Sequence, residues 1–361
     1  MAIWRKRKTS NIDIFSNMMK RPILAITMGD PAGIGPEIII KSLSLPEVYK
    51  KCRPIVTGDA NVMTLAASLL SSGIKINPVK SVDDAVFECG TIDVLDLKLV
   101  DMSSFKIGQV AAQCGNAAFE SVIKAIQLAM DGVVDATVTA PLNKEALNMA
   151  GHHFDGHTEI YAHYTGTEKY AMLLADEFLR VIHVSTHVPL RKACDLVKKE
   201  RIIDVTELIV DACRQFGIKN PRIGIAGLNP HASDGGLFGD EERLEISPAV
   251  EELRSRGCNV DGPVPPDTLF AKAKCGKYDG CVAMYHDQGH IPFKVVGFNW
   301  DKETGTMKTA KGVNITLGLP IIRVSVDHGT AFDVAGKGVA SPDAMLLSID
   351  YATKMANSKN Q

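Results

Sequence analysis

Short apolar runs recur along this chain, each stopping abruptly at a polar or glycine-rich stretch and followed by a segment long enough for a helix. Residues 23–28 (ILAITM), 53–57 (RPIVT), 92–95 (IDVL), 136–140 (ATVTA), 181–185 (VIHVS), 222–226 (RIGIA), 279–284 (DGCVAM), 313–317 (VNITL) and 321–326 (IIRVSV) read as strands. Helical stretches are expected over 59–70, 109–130 and 342–355. Strands that alternate with helices build an α/β protein around a largely parallel sheet. A length of 361 residues suits either two domains or one large unit with a cleft.

Composition narrows the functional classes. With 45% hydrophobic residues the chain can bury a sizeable core, which argues against disorder. A net charge of −2 gives no bulk drive toward nucleic acid or an anionic membrane. Neither is expected as a partner, and an anionic substrate must be caught by local basic residues. The eight cysteines are scattered without a C-x-x-C pair, which excludes a zinc ribbon and a secretory disulfide framework. They fit a reduced, cytoplasmic protein. Residues 1–21 are basic at first but lack the apolar core of a signal peptide, and are expected to form a flexible extension. The longest uncharged stretch, 60–74, is too short to span a bilayer.

The strand 279–284 runs straight into Tyr285, His286, Asp287 and Gln288, after which Gly289 suggests a turn. In open α/β sheets ligands bind where strand ends open like this. His187 and His231 also follow apolar strands. Taken singly, each fits a hydrogen-bonded histidine at a strand end. If the three strands are neighbours, three imidazoles meet at one edge with room for a fourth ligand, a catalytic arrangement for a divalent metal. Imidazole ligation suits Zn²⁺, Co²⁺ or Ni²⁺. Asp287 would then orient His286 or act as general base, and Lys144, after the strand at 136–140, is a second candidate proton acceptor.

Two further groups stand out. Lys294, Asn314 and Arg323, with His157 and Thr158, could hold a phosphate or carboxylate, Arg323 as a bidentate fork. The bland alternative makes Lys294 a solvated lysine and Arg323 the partner of a core carboxylate. The run from Asp327 to Gly338, containing His328, Gly329, Thr330 and Asp333, is dense in small residues. It allows close backbone approach, as around an adenine or pyrophosphate, or forms a structural loop. The loop 29–37 (GDPAGIGPE) lacks the third glycine of G-x-G-x-x-G and the Gly-Lys-Ser/Thr of a P-loop. It is either a tight turn or a ligand-facing loop, with Pro36 and Glu37 suited to a helix start.

Six motifs in order carry a resemblance: GDPAGIGPE (29–37), GHTE (156–159), STHVPLR (185–191), GLNPHASDGG (227–236), AMYHDQG (283–289) and GVNITLGLPIIRVSVDHGTA (312–331). From about Pro22 to its end the chain resembles the 4-hydroxythreonine-4-phosphate dehydrogenase family. The segment from His328 to Pro342 is also similar to the adenosine-binding loop of isocitrate and isopropylmalate dehydrogenases.

The resemblance implies an isocitrate/isopropylmalate dehydrogenase-like α/β fold. One lobe would comprise 22–140 plus 321–361, a second 141–320, with the active-site cleft between them. It implies one divalent metal ion per site (Zn, Mg or Co) on His187, His231 and His286. One of these ligands would come from the partner subunit of a homodimer whose interface forms the site. Substrate would meet His157, Thr158, Lys294, Asn314 and Arg323, and NAD the loop at His328, Gly329, Thr330 and Asp333.

An insertion near Asn299–Ala310 and His290-Ile-Pro-Phe after DQG resemble a branch that oxidises D-threonate 4-phosphate, a small phosphorylated hydroxy acid. The implied reaction is hydride transfer to NAD⁺ and loss of CO₂, leaving dihydroxyacetone phosphate. The alternatives are 4-hydroxythreonine 4-phosphate as substrate, a metal-dependent phosphoester hydrolase, and a non-catalytic phosphosugar-acid sensor.

Overall fold

The computed structural model describes residues 21–301, 306–310 and 312–359; the expected N-terminal extension lies outside them apart from Arg21. The strands, in chain order, are β1 (Ile23–Thr27), β2 (Arg53–Gly58), β3 (Lys75–Val79), β4 (Thr91–Asp96), β5 (Ala136–Thr139), β6 (Ala171–Ala175) and β7 (Arg180–His183). They continue with β8 (Ile223–Ala226), β9 (Val260–Val264), β10 (Gly280–Ala283), β11 (Phe298–Asp301), β12 (Thr306–Ala310), β13 (Val313–Leu317) and β14 (Arg323–Val326). Twelve form one sheet in the order β3-β4-β2-β1-β5-β14-β13-β6-β7-β10-β8-β9. Pairing is parallel from β3 to β14, antiparallel through β13 and β6 to β7, and parallel again from β7 to β9.

The central strands are buried on both faces, β5, β8, β10 and β14 along their whole length, because helices cover the sheet on each side. Helix Ala60–Leu69 starts where the Asp59 carboxylate accepts the Asn61 and Val62 N–H groups, the usual device for unpaired donors at a helix start. Helix Gly35–Leu43 has a proline in its first turn and Glu37 beside it, as the sequence suggests. Glu37 is buried and accepts from Lys41 at 2.9 Å and from the Ala340 N–H at 2.8 Å. Neither Asp155 nor Thr158 caps helix His157–Thr165; its N-cap is Gly156, with no side-chain cap bond. Between Lys294 and Asn314 the antiparallel strands β11 and β12 form a hairpin; the middle of its turn lies outside the described residues.

One expectation is overturned. The chain does not turn at Gly289. A helix runs through it and through Pro292, from His286 to Gly297. The glycine serves close approach instead of a turn: a β-carbon there would collide with Nε2 of His183 and lie 2.8 Å from Cγ1 of Val181. Gln288 locks the start of this helix. Its amide oxygen accepts the Met284 N–H at 2.7 Å and its NH₂ group donates to the Gly227 carbonyl at 2.8 Å, tying the exits of β10 and β8 together.

The glycine loop after β1 is packed inward. Ile34 N–H donates to the Thr330 carbonyl at 3.0 Å, and a β-carbon on Gly33 would press on Thr330. Asp30, fully buried in this loop, accepts from Ala32 N–H with one oxygen and leaves the other without a partner. Burial pushes its carboxyl up to about 6. An unfolded aspartate ionises near 3.9, so native stability is fully present below that pH and is lost as pH rises through 6. The cost above pH 6 is on the order of 2–3 kcal/mol. Asp30→Asn keeps the acceptor without the charge. Its melting-temperature advantage over wild type should widen from pH 4 to pH 6 and then level off; a constant difference would show that Asp30 ionises normally.

Candidate active site

Strand β10 lies between β7 and β8, parallel to both, so the three segments that leave these strands emerge at one sheet edge. They are the segments that carry His187, His286 and His231. His187 and His286 come together, ring centroids 5.7 Å apart. With Thr186, Val188, Pro189, Leu190, Ala193, Tyr285 and Asp287 they line an open cavity of ≈ 420 Å³. His231 does not join them. Among the described residues, no three His, Cys, Asp or Glu side chains are grouped to hold a metal ion.

His231 sits in an unusual turn. Four successive non-glycine residues, His231, Ala232, Ser233 and Asp234, have φ of 52°, 56°, 73° and 44°, a left-handed run disfavoured for side chains with a β-carbon. Polar contacts hold the segment. Buried Glu242 accepts from the Leu228 and Asn229 N–H groups and the Asn229 amide, each at 2.8 Å. Such a conformation persists only where the surrounding structure over-determines it.

His231 and His286 share one feature. Each offers Nδ1 to a nearby carboxylate, His231 to Asp234 at 3.0 Å and His286 to Asp287 at 2.7 Å. A carboxylate only accepts, so Nδ1 carries the proton and Nε2 presents its lone pair, the arrangement common to metal-binding histidines. The bond to Asp234 raises the pKa of His231. Behind His286 lie two more imidazoles that the strand-end pattern alone did not single out as site residues. His290 stacks on it with centroids 3.6 Å apart, and His183, buried on β7, is 4.7 Å from His290. Burial, followed by neighbouring histidines, pushes His290 down to about 4 and His183 to about 3; both are neutral at physiological pH.

The second group assembles around Arg323. In the β13–β14 pair Thr316 faces Arg323 and Asn314 faces Ser325, which sets these side chains on one face of the sheet. Arg323 is 2% exposed and donates to hydroxyl oxygens, Thr316 at 2.9 Å and Thr139 at 2.9 Å. Its ring neighbour is Tyr161, 5.6 Å from guanidinium carbon to centroid. No carboxylate among the described residues forms an ion pair with it, so the core-carboxylate alternative fails. Burial lowers its pKa to about 10. Thr158 joins through Thr316, hydroxyl to hydroxyl at 3.4 Å. His157 Nε2, Asn314 Oδ1 and Arg323 Nε are all buried without a partner. His157 is held neutral, by burial first and by Arg323 second. Unpaired buried polar atoms are costly, and a ligand rich in oxygen and hydroxyl groups would satisfy them.

The remaining expected residues divide. Lys294 Nζ donates to buried Asp327 at 2.8 Å, so it is not a freely solvated lysine. Lys144 is exposed at the start of helix Lys144–Met149. In the loop after β14, the Thr330 carbonyl accepts from Ile34, His328 Nδ1 lies 3.0 Å from the Gly329 carbonyl, Gly329 faces open space and Asp333 is exposed. Pro31, Gly33 and Gly336 from the two small-residue loops line a narrow apolar pocket with Val62, Leu65 and Phe105. Thr316, Asp327 and Tyr161 had weak signals in the sequence: two residues beyond Asn314 on a strand, adjacent to His328, and one helical turn beyond His157.

The sheet is that of an α/β protein with its candidate site where β7, β8 and β10 end, and the class of enzyme comes from the relatives. The family described as "Pyridoxal phosphate biosynthetic protein PdxA" matches residues 50–352, and the chain belongs to it. D-threonate 4-phosphate dehydrogenase of Cupriavidus necator is 46% identical over 336 residues, 93% of this chain and 97% of that protein. The enzyme of the same name from Pectobacterium atrosepticum is 47% identical over 334 residues, 92% and 99% of the two chains. Among solved structures, 4-hydroxythreonine-4-phosphate dehydrogenase from Klebsiella pneumoniae superposes with a TM-score of 0.80 at 45% identity, covering 93% of this chain and 99% of that one. The chain is therefore a dehydrogenase, an oxidoreductase acting on a CH–OH group. Among the described residues, no helix is long and apolar enough to cross a membrane.

The Arg323 cluster should bind a simple oxyanion unaided. Inorganic phosphate should raise the melting temperature of wild type, with stabilisation on the order of 1.4 kcal/mol at tenfold excess over Kd. Arg323→Ala should abolish the shift. An equal shift in the variant would place the anion elsewhere.

Proposed function

We propose that the chain catalyses NAD-dependent oxidation and decarboxylation of D-threonate 4-phosphate to dihydroxyacetone phosphate and CO₂. The observation that carries a phosphorylated, hydroxylated substrate is the buried Arg323 guanidinium, with no ion-paired carboxylate among the described residues, beside the unpartnered His157 Nε2 and Asn314 Oδ1. The names of relatives at 46–47% identity support the particular acid. 4-Hydroxythreonine 4-phosphate is the second reading, favoured by the name of the Klebsiella pneumoniae structure.

The donor set fits a divalent ion, with Zn, Mg and Co as candidates. His187 and His286 form a pair, and the carboxylates on Nδ1 of His286 and His231 leave Nε2 of each free to bind metal. We assign the third ligand to His231 of a second copy of this chain, in a homodimer that closes the site. Exposed Val188, Leu190, Leu237, Phe238, Ile291 and Val295 flank these histidines in sequence and suit an interface between copies. The bound ion would acidify the substrate hydroxyl and favour loss of CO₂ from the keto acid.

Arg323, Thr158, Asn314 and His157 orient the acid, and Lys294, held by Asp327, adds a positive charge at its phosphate. NAD⁺, when bound, would accept hydride from the carbon that bears the oxidised hydroxyl, and a base of this chain would take the hydroxyl proton. Asp287 and Lys144 are the candidates for that base. NAD would lie along His328, Gly329, Thr330 and Asp333, with the apolar pocket beside Gly33 open to its adenine. In this reading residues 22–140 and 321–361 form one lobe, and residues 141–320 a second that carries the metal ligands, with the cleft between. A cytoplasmic location suits a reaction that consumes free NAD⁺.

NADH formation followed with D-threonate 4-phosphate, its erythronate epimer and 4-hydroxythreonine 4-phosphate tests the assignment. D-threonate 4-phosphate should give the highest kcat/KM. His286→Ala should lose metal-dependent turnover while staying folded, and Arg323→Ala should mainly raise KM. A preference for the amine-bearing substrate would transfer the assignment to the second reading. Phosphate release without NADH would replace both with a hydrolase.

A further inference from the structure

We propose that His290 is a positioning residue for the metal site, its imidazole stacked on His286 so as to fix the plane of that ring and the direction of its Nε2. The inference rests on His286 as a metal ligand. Four residues apart on helix His286–Gly297, the two side chains share one face. Their rings are stacked and nearly parallel, 10° apart, with centroids 3.6 Å apart.

A single contact on the other side would not hold His286. The Asp287 carboxylate bonds to Nδ1, but its own side chain is 68% exposed and leaves the imidazole able to swing about its bond to the β-carbon. The carboxylate selects the tautomer; a flat surface against the ring selects its plane.

His290 can be that surface because it is itself held. Its Nδ1 lies 3.1 Å from the His286 carbonyl oxygen. A carbonyl only accepts, so Nδ1 carries the proton and the ring is anchored to the backbone of the residue it supports. His290 also meets His183, centroids 4.7 Å apart, and His183 lies buried at the end of β7. The missing β-carbon of Gly289 lets the helix press against His183. The three imidazoles form a column from the sheet to the cavity, with His286 at its outer end.

Cobalt(II) alone, added to the metal-free dimer, gives a readout independent of turnover. Its visible absorption reports ligand geometry, and calorimetry gives its affinity. His290→Leu should weaken Co²⁺ binding by about tenfold to a hundredfold, the usual effect of losing a group that orients a ligand, and should alter the visible bands without lowering the melting temperature. His290→Phe, which keeps a flat ring, should recover most of the affinity. Wild-type affinity and bands in His290→Leu would overturn the inference alone, as would a His290→Phe variant as weak as His290→Leu. No Co²⁺ binding by wild type would overturn the metal reading, and this inference with it.

Discussion

The parallel pairing of β10 between β7 and β8 is the constraint on which the candidate site depends. Parallel neighbours all emerge at the same edge, so residues far apart in sequence leave the sheet side by side. Gln288 fastens two of these exits, and Gly289 brings the helix after β10 down onto β7. His187 and His286 then meet as a matter of register. His231 follows the third strand, but Glu242 and the left-handed turn at 231–234 carry it elsewhere.

The second constraint is a buried charge. Arg323 is desolvated at the sheet's middle, where it donates to two threonine hydroxyls and lies over a tyrosine ring with no ion-paired carboxylate among the described residues, an arrangement that favours the arrival of an anion over the free state. The two are linked. Lys294 lies on the helix that starts at His286, and its partner Asp327 directly follows β14, which Arg323 begins. The same Asp327 leads into the loop proposed for NAD. The histidine proposed as a metal ligand, the buried arginine proposed for the substrate and the loop proposed for NAD are thus connected by one ion pair.

Much of this was legible because buried parallel strands are apolar on both faces and stop sharply at polar ends. Runs such as Cys281–Ala283 and Ile223–Ala226 could scarcely be anything else. Strands β3, β6 and β9 are not among those the sequence suggests; Pro78 and Pro263 interrupt β3 and β9, where prolines are tolerated because both strands are sheet edges, and β6 is a short apolar run that periodicity does not separate from a helix. The helix at 286–297 was hidden by Gly289 and Pro292, which read as breakers until the packing against His183 is seen. The turn at His231 has no glycine until Gly235, so its left-handed path left no trace in sequence. Nor does sequence tell that Arg323 finds threonines where a carboxylate was the ordinary alternative.

The central claim is that two histidines assemble within one chain and the third comes from a second copy. Mixing inactive His231→Ala and His286→Ala dimers under conditions of subunit exchange tests it most directly. Hybrid dimers would contain one intact site, so NADH formation should return to about a quarter of the wild-type rate. A mixture that stays as inactive as its parents would show that one chain supplies all three ligands.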